Sequence, residues 1–307
     1  MSMAAVHRFE FRAMACACEI TVGLQPGHDA QWAQAQAQAA VAEIRRIETK
    51  YSRYQPQSIV SQINQAAGHR PLELDPETHS LIDFAERMHA QSDGLFDITS
   101  GVYRQIWDFQ KAQCPTPAQI DGIRPLVGWA QVQREGAQLF LPRAGMQIDL
   151  GGLGKEYAAD RAALVLRQNG VQHALVNLGG DVASVGTKPD GQPWTAGIRH
   201  PRDAQHIMAS LPLFGQALAT SGDYERFFEL AGQRYCHIID PRTGWPVQHF
   251  RSVSVVAPSC LLAGAVGTTI MLKQTEATPE WLKQLNLPVL WMDTSGEVRM
   301  QTMATSP

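Results

Sequence analysis

The sequence predicts an α+β fold built as one domain. Helical and strand periodicities are mixed along the chain, and strand patterns adjoin one another at hairpin-like breaks, which favours antiparallel pairing and packed helices. No internal repeat with a period of roughly 20–50 residues occurs, and no Pro/Gly/Ser-rich linker divides the 307 residues. With 44% hydrophobic and 18% charged residues, a chain of this length buries a large core without covalent staples.

Each element has a local cause. Residues 8–23 alternate around Phe9, Phe11, Ile20 and Val22 and read as strand. Residues 30–50 are rich in Ala and Gln, with Ile44 and Ile47 near the end, and read as helix on propensity. Residues 76–91 set Leu81, Ile82, Phe84, Ala85 and Met88 at helical spacing behind Asp75 as cap and Pro76 in the first turn. Residues 101–112 predict a short helix or turn over the core. Residues 129–149 hold two strands around Gly136 and a third that ends at Asp149. A helix over 155–169 stops at Asn169-Gly170. Residues 173–177 are a buried strand, and 193–199, 208–219 and 251–257 are further strands. Pro258-Ser259 starts a helix over 260–273, and a helix near 278–285 and a strand at 288–292 close the chain. The expected folded unit is 8–300, with short tails at 1–7 and 301–307.

The net charge of −3 offers no argument for nucleic acid or for an anionic membrane surface. No run of about 18 apolar residues is present, so no membrane span is expected. Arg8, Glu10 and Arg12 interrupt what would be the apolar core of a signal peptide, and the expected location is the cytoplasm. The five cysteines are too sparse for a disulfide framework; Cys16 and Cys18 would share one face of a strand as free thiols.

Chemistry concentrates in five glycine–acid clusters. They are Gly94–Thr99, with Leu95, Phe96 and Asp97; Asp149 to Lys155; Asn177 to Asp181; Thr220 to Tyr224; and His237 to Gly244. Each alone is an ordinary turn, in which Asp or Asn accepts backbone N–H bonds and Gly takes positive φ. Together they point to a polar, backbone-lined pocket. The second is the most informative: a carboxylate, then Gly151, Gly152 and Gly154, then a helix opening with Lys155. Glycines allow close approach, and a helix N-terminus offers free N–H groups to a phosphate. His237 is the natural proton carrier near neutral pH. In the helix over 260–273, Gly264 and Thr268 share a face.

These clusters, in this order, resemble the ApbE-type flavin transferases, the FAD:protein FMN transferases, over nearly the whole chain. The resemblance implies that family's T-fold-like α+β architecture. It also implies an enzyme that takes FAD, cleaves the pyrophosphate and attaches FMN to a Ser or Thr hydroxyl of a target flavoprotein, using Mg²⁺. Carried over residue by residue, Met14, Tyr54, Leu95, Phe96, Asp97, Asp149, Lys155, Ser221, Gly222, Asp223 and His237 would contact FAD. His237 and Asp240 would be the catalytic pair. Gly152, Gly264 and Thr268 would hold the metal.

The chain departs from the family at three places. The late helix reads Ala263-Gly264-Ala265-Val266-Gly267-Thr268, with glycine where the family usually has Asp. The residue after Lys155 is Glu156 where glycine is common, and it could supply a replacement carboxylate. The family's Met-Gly-Thr is here Met14-Ala15-Cys16. The first departure sets two readings beside the transferase: a non-catalytic FAD-binding protein that has lost the metal site, and a hydrolase that splits FAD into FMN and AMP.

Overall fold

The computed structural model describes residues 6–273, Trp281 and 284–302. The chain opens with a hairpin of β1 (Val6–Ala13) and β2 (Cys16–Gly23) rather than the single expected strand. Met14 and Ala15 turn it, both at positive φ. Next come α1 (Ala30–Tyr51), a short α2 (Ile59–Gln65), β3 (Leu72–Glu73) and α3 (Pro76–Gln91). The start of α3 is as its sequence demands: Asp75 accepts from the N–H groups of Glu77 and Thr78, and Pro76 fills the first turn.

A 3₁₀ helix at Ile98–Gln105 precedes α4 (Pro117–Ile123) and the hairpin β4 (Gln133–Glu135) and β5 (Gln138–Phe140) around Gly136. The third strand expected to end at Asp149 does not form. Residues 146–150 carry no ladder; Asp149 N–H bonds Ile98 O instead, pinning this segment to the 3₁₀ helix. Then follow α5 (Gly154–Gln168), β6 (Ala174–Leu178), β7 (Asp181–Val185), β8 (Trp194–His200), β9 (Asp203–Leu213) and β10 (Ala217–Gly222). The expected strand at 208–219 is thus two, broken around Gly215, which has φ +74°. The chain closes with β11 (Phe227–Leu230), β12 (Gln233–Cys236), β13 (Phe250–Ala257), α6 (Cys260–Leu272), β14 (Val289–Asp293) and β15 (Val298–Gln301). The helix expected near 278–285 lies largely outside the described residues.

Eight strands form one antiparallel sheet in the order β1-β2-β6-β7-β10-β13-β14-β15. Its strands alternate between two apolar layers. Ala183, Ala219, Val253 and Val255 face the main core with α1, α5 and α6, while Val182, Leu218, Val256 and Leu290 face the β8–β9 ribbon. Coverage on both faces buries every residue of β13 except Arg251, Ser252 and Ser254 included. Among the described residues, no helix is long and apolar enough to cross a membrane. Cys16 and Cys18 share a face of β2 as free thiols, their sulfurs 3.6 Å apart.

Candidate active site

A cleft of about 130 Å³ opens where the 3₁₀ helix, the segment before α5, the C-terminal half of α6 and the chain after β12 meet. Leu95, Phe96, Asp97, Arg104, Asp149, Gly151, Gly152, His237 and Thr268 all line it. Three of the five clusters, far apart in sequence, therefore share one wall-to-wall space.

Asp149 organises one wall. Its Oδ2 lies 2.6 Å from Arg53 and 2.9 Å from Arg104, and its Oδ1 accepts from the Gly151 N–H at 2.8 Å. Gly101 is obligatory beside it, since a Cβ there would stand 2.3 Å from Asp149 Cβ. Two guanidinium groups thus share one carboxylate. Burial holds the Arg104 pKa below its ordinary value, and Arg53 and Arg226 push the same way against Asp149. An excess of positive charge in a partly buried cleft suits a polyanion. Tyr54 is exposed, with the Arg53 guanidinium 4.7 Å from its ring centroid.

The N-terminus of α5 meets the same space. Leu153 occupies the N-cap with no side-chain cap, and a Cβ on Gly152 would meet nothing within 4 Å. The Leu153 and Gly154 N–H groups both turn back onto Leu150 O, at 2.9 and 2.7 Å, so the turn itself closes the start of the helix.

His237 follows β12 and donates its backbone N–H to Arg226 O. Its Nδ1 is buried without a partner. Burial, reinforced by Arg104 and Arg226, pushes its pKa down to about 4, so the ring is neutral at pH 7. The rest of its motif is scaffolding. Asp240 accepts from the N–H and the guanidinium of Arg242 and closes the turn, and Gly244 holds φ +75° against Tyr103 and Ile120. Tyr103 O–H and Trp107 Nε1–H donate to Pro241 O and Gly244 O. Asp240 does not line the cleft.

Several other predicted contacts are held within the fold. Asp97 accepts from Thr99 and from the Trp129 N–H. Asp223 takes Arg202 on both oxygens, and Gly222 is bare because a Cβ would meet the Tyr224 ring at 2.3 Å. Met14 lies in the β1–β2 turn with its N–H on Glu48 at 2.6 Å. Lys155 sits 2.7 Å from Asp181; burial opposes its charge, but Asp181 and Glu156 outweigh that and raise its pKa. Ser221 Oγ lies 3.2 Å from Thr268 Oγ1.

Behind Thr268, outside the lining of the cleft, Gly264 on α6 packs against Glu156 on α5. Gly264 has no side chain to offer a metal, and the space above it is filled by Glu156: a Cβ at 264 would stand 2.6 Å from Glu156 Cγ and 2.9 Å from Oε1. Glu156 is buried and its Oε2 has no partner. Burial, then the charge of Asp181, raises its pKa to about 7. Among the described residues no group of three His, Cys, Asp or Glu side chains is set to hold a metal. Mg²⁺ needs no such group. It binds through one or two carboxylates, hydroxyls, water and substrate phosphates, so an orphaned carboxylate packed on α6 at Gly264, one helical turn before Thr268, fits it.

Sequence reasoning missed Arg104 and Arg226. Arg104 lies in a stretch with only a turn signal, and Arg226 in the loop between β10 and β11; neither position carries a motif.

The ApbE family model matches residues 14–291. A Salmonella typhimurium protein named FAD:protein FMN transferase is 34% identical over 257 residues, covering 80% of this chain and 73% of its own. An Escherichia coli K12 protein of the same name is 30% identical over 282 residues, covering 89% and 80%. The ApbE protein of Thermotoga maritima superposes with a TM-score of 0.86 at 29% identity, covering 96% of each chain. The flavin transferase ApbE of Vibrio cholerae superposes at 0.84 with 26% identity, covering 98% of each.

Proposed function

The chain belongs to the ApbE family and is a flavin transferase, and from that premise we propose that it moves FMN from FAD onto a Ser or Thr hydroxyl of a target flavoprotein with the help of Mg²⁺. One folded unit over 8–300, acting in the cytoplasm, is part of the same proposal. The observation that carries it is the cleft itself, where Arg53 and Arg104 share the single carboxylate of Asp149 below the uncapped start of α5. That arrangement supports a reading in which the pyrophosphate of FAD lies between guanidinium groups and the glycine-rich turn that leads into α5.

His237, neutral and half-buried on the cleft wall, would accept the proton of the acceptor hydroxyl. The hydroxyl oxygen bonds the phosphorus of the FMN half as the bond from that phosphorus to the bridging oxygen breaks, and AMP leaves with the bridging oxygen. Bound phosphates offset the charges of Arg104 and Arg226 and make the imidazole more basic than in the free protein. Mg²⁺, when bound, would neutralise charge developing on the pyrophosphate, held by Glu156 and Thr268.

The test is incubation with FAD, Mg²⁺ and a flavoprotein acceptor, read as in-gel flavin fluorescence and the mass of the FMN adduct. A fluorescent acceptor band that vanishes with chelator is expected. His237→Ala should lower the rate about 10²- to 10⁴-fold while leaving FAD affinity within about threefold. FAD bound with no adduct on any acceptor would favour a binding protein, and FMN plus AMP released without acceptor would favour a hydrolase.

A further inference from the structure

Glu156 is a buried carboxylate that the fold does not use. It stands in the first turn of α5, 9% exposed, and its Oε2 has no hydrogen-bond partner. The adjacent cation is spent elsewhere, since Lys155 is paired with Asp181 at 2.7 Å. A buried carboxyl in this state either keeps its proton or takes a cation that arrives from outside. The side chain reaches across to α6 and occupies the place a side chain at 264 would take. One helical turn beyond Gly264, Thr268 faces the cleft with its hydroxyl 3.2 Å from Ser221 Oγ.

We propose that Glu156 is the protein's carboxylate ligand for the divalent cation, with the Thr268 hydroxyl beside it, and that glycine at 264 exists to admit it. The carboxylate of the site has moved from α6 to α5, and the two positions trade one volume. A side chain at 264 would displace the Glu156 carboxylate, meeting its Cγ at 2.6 Å in a packed interior. The inference rests on the transferase reading above and names the residue that makes it work.

The experiment is cation binding in the presence of FAD, with Mn²⁺ followed by electron paramagnetic resonance and Mg²⁺ by calorimetry, on the full chain. Glu156→Gln should weaken both ions at least about tenfold, while FAD affinity without metal and the melting curve hold. Gly264→Asp alone should also bind poorly, because its Cβ collides with Glu156. Glu156→Gly combined with Gly264→Asp should regain affinity to within about threefold of the parent, since the volume is conserved and the carboxylate returns. Unchanged Mn²⁺ binding in Glu156→Gln, in a parent that transfers FMN, overturns the ligand assignment alone. A folded double variant that regains nothing overturns the claim of one shared site. A parent that binds FAD and no Mn²⁺ overturns the transferase reading along with it.

Discussion

Asp149 and Glu156 stand on either side of one glycine-rich turn, and the fold treats them in opposite ways. Asp149 is saturated: Arg53, Arg104 and the Gly151 N–H take its oxygens. Glu156 is buried with an oxygen that nothing takes. A satisfied carboxylate holds its donors in place, so Asp149 is a positioning residue for two guanidinium groups. An orphaned carboxylate carries a standing cost that a bound cation removes, so Glu156 is set for a ligand.

Removing each residue tests the contrast most strongly. Asp149→Ala should cost roughly 3–4 kcal/mol, because two partly buried guanidinium groups lose their counter-charge. Glu156→Gln should leave the metal-free protein within about 1 kcal/mol of the parent at pH 7, or above it, since it removes a charge without a partner. Urea unfolding of both variants measures this, and equal losses would erase the distinction.

Acid and base should then separate the buried groups, each by at most roughly 3 kcal/mol. The unfolded His237, at its ordinary 6.5, takes up a proton before the folded ring at about 4 does. Stability therefore falls as the pH drops from 6.5 toward 4, and His237→Gln should flatten that limb. Glu156 has the opposite sign. Its folded pKa of about 7 lies above the ordinary 4.5, so stability falls as the pH rises from 4.5 toward 7. In Glu156→Gln that loss should disappear, which stability measured across pH 4–8 would show.

Gly101→Ala comes next, at about 2 kcal/mol, because its Cβ would press on Asp149 at 2.3 Å. Thermal melts of this variant should show the loss together with weaker FAD binding. The smallest effect belongs to Asp240→Ala, about 1 kcal/mol from the lost turn bonds. Its transfer rate should stay within about threefold of the parent, because the group lies outside the cleft; a hundredfold loss would restore Asp240 to the chemistry beside His237.

Much of this was legible in advance where the cause is local. The start of α3 at Asp75-Pro76, the Ser259 cap of α6 and the end of α5 at Asn169-Gly170 follow from groups within four residues of one another. The third strand before Asp149 failed because an apolar run states burial, not pairing, and this run bonds a 3₁₀ helix instead. The break inside 208–219 was hidden because Gly215 interrupts an otherwise continuous apolar pattern by only one turn.

The sequence by itself determined the α+β class, most helix limits and the clusters from which the cleft is made, because caps, periods and turn residues act over a few positions. It also carried the family resemblance through motifs kept in order. Only the tertiary structure decided which charged groups are free. Arg53 and Asp149 meet from 96 residues apart, and Glu156 meets Gly264 across two helices. Charge pairing and burial are properties of neighbours in space, and spacing along a chain does not contain them.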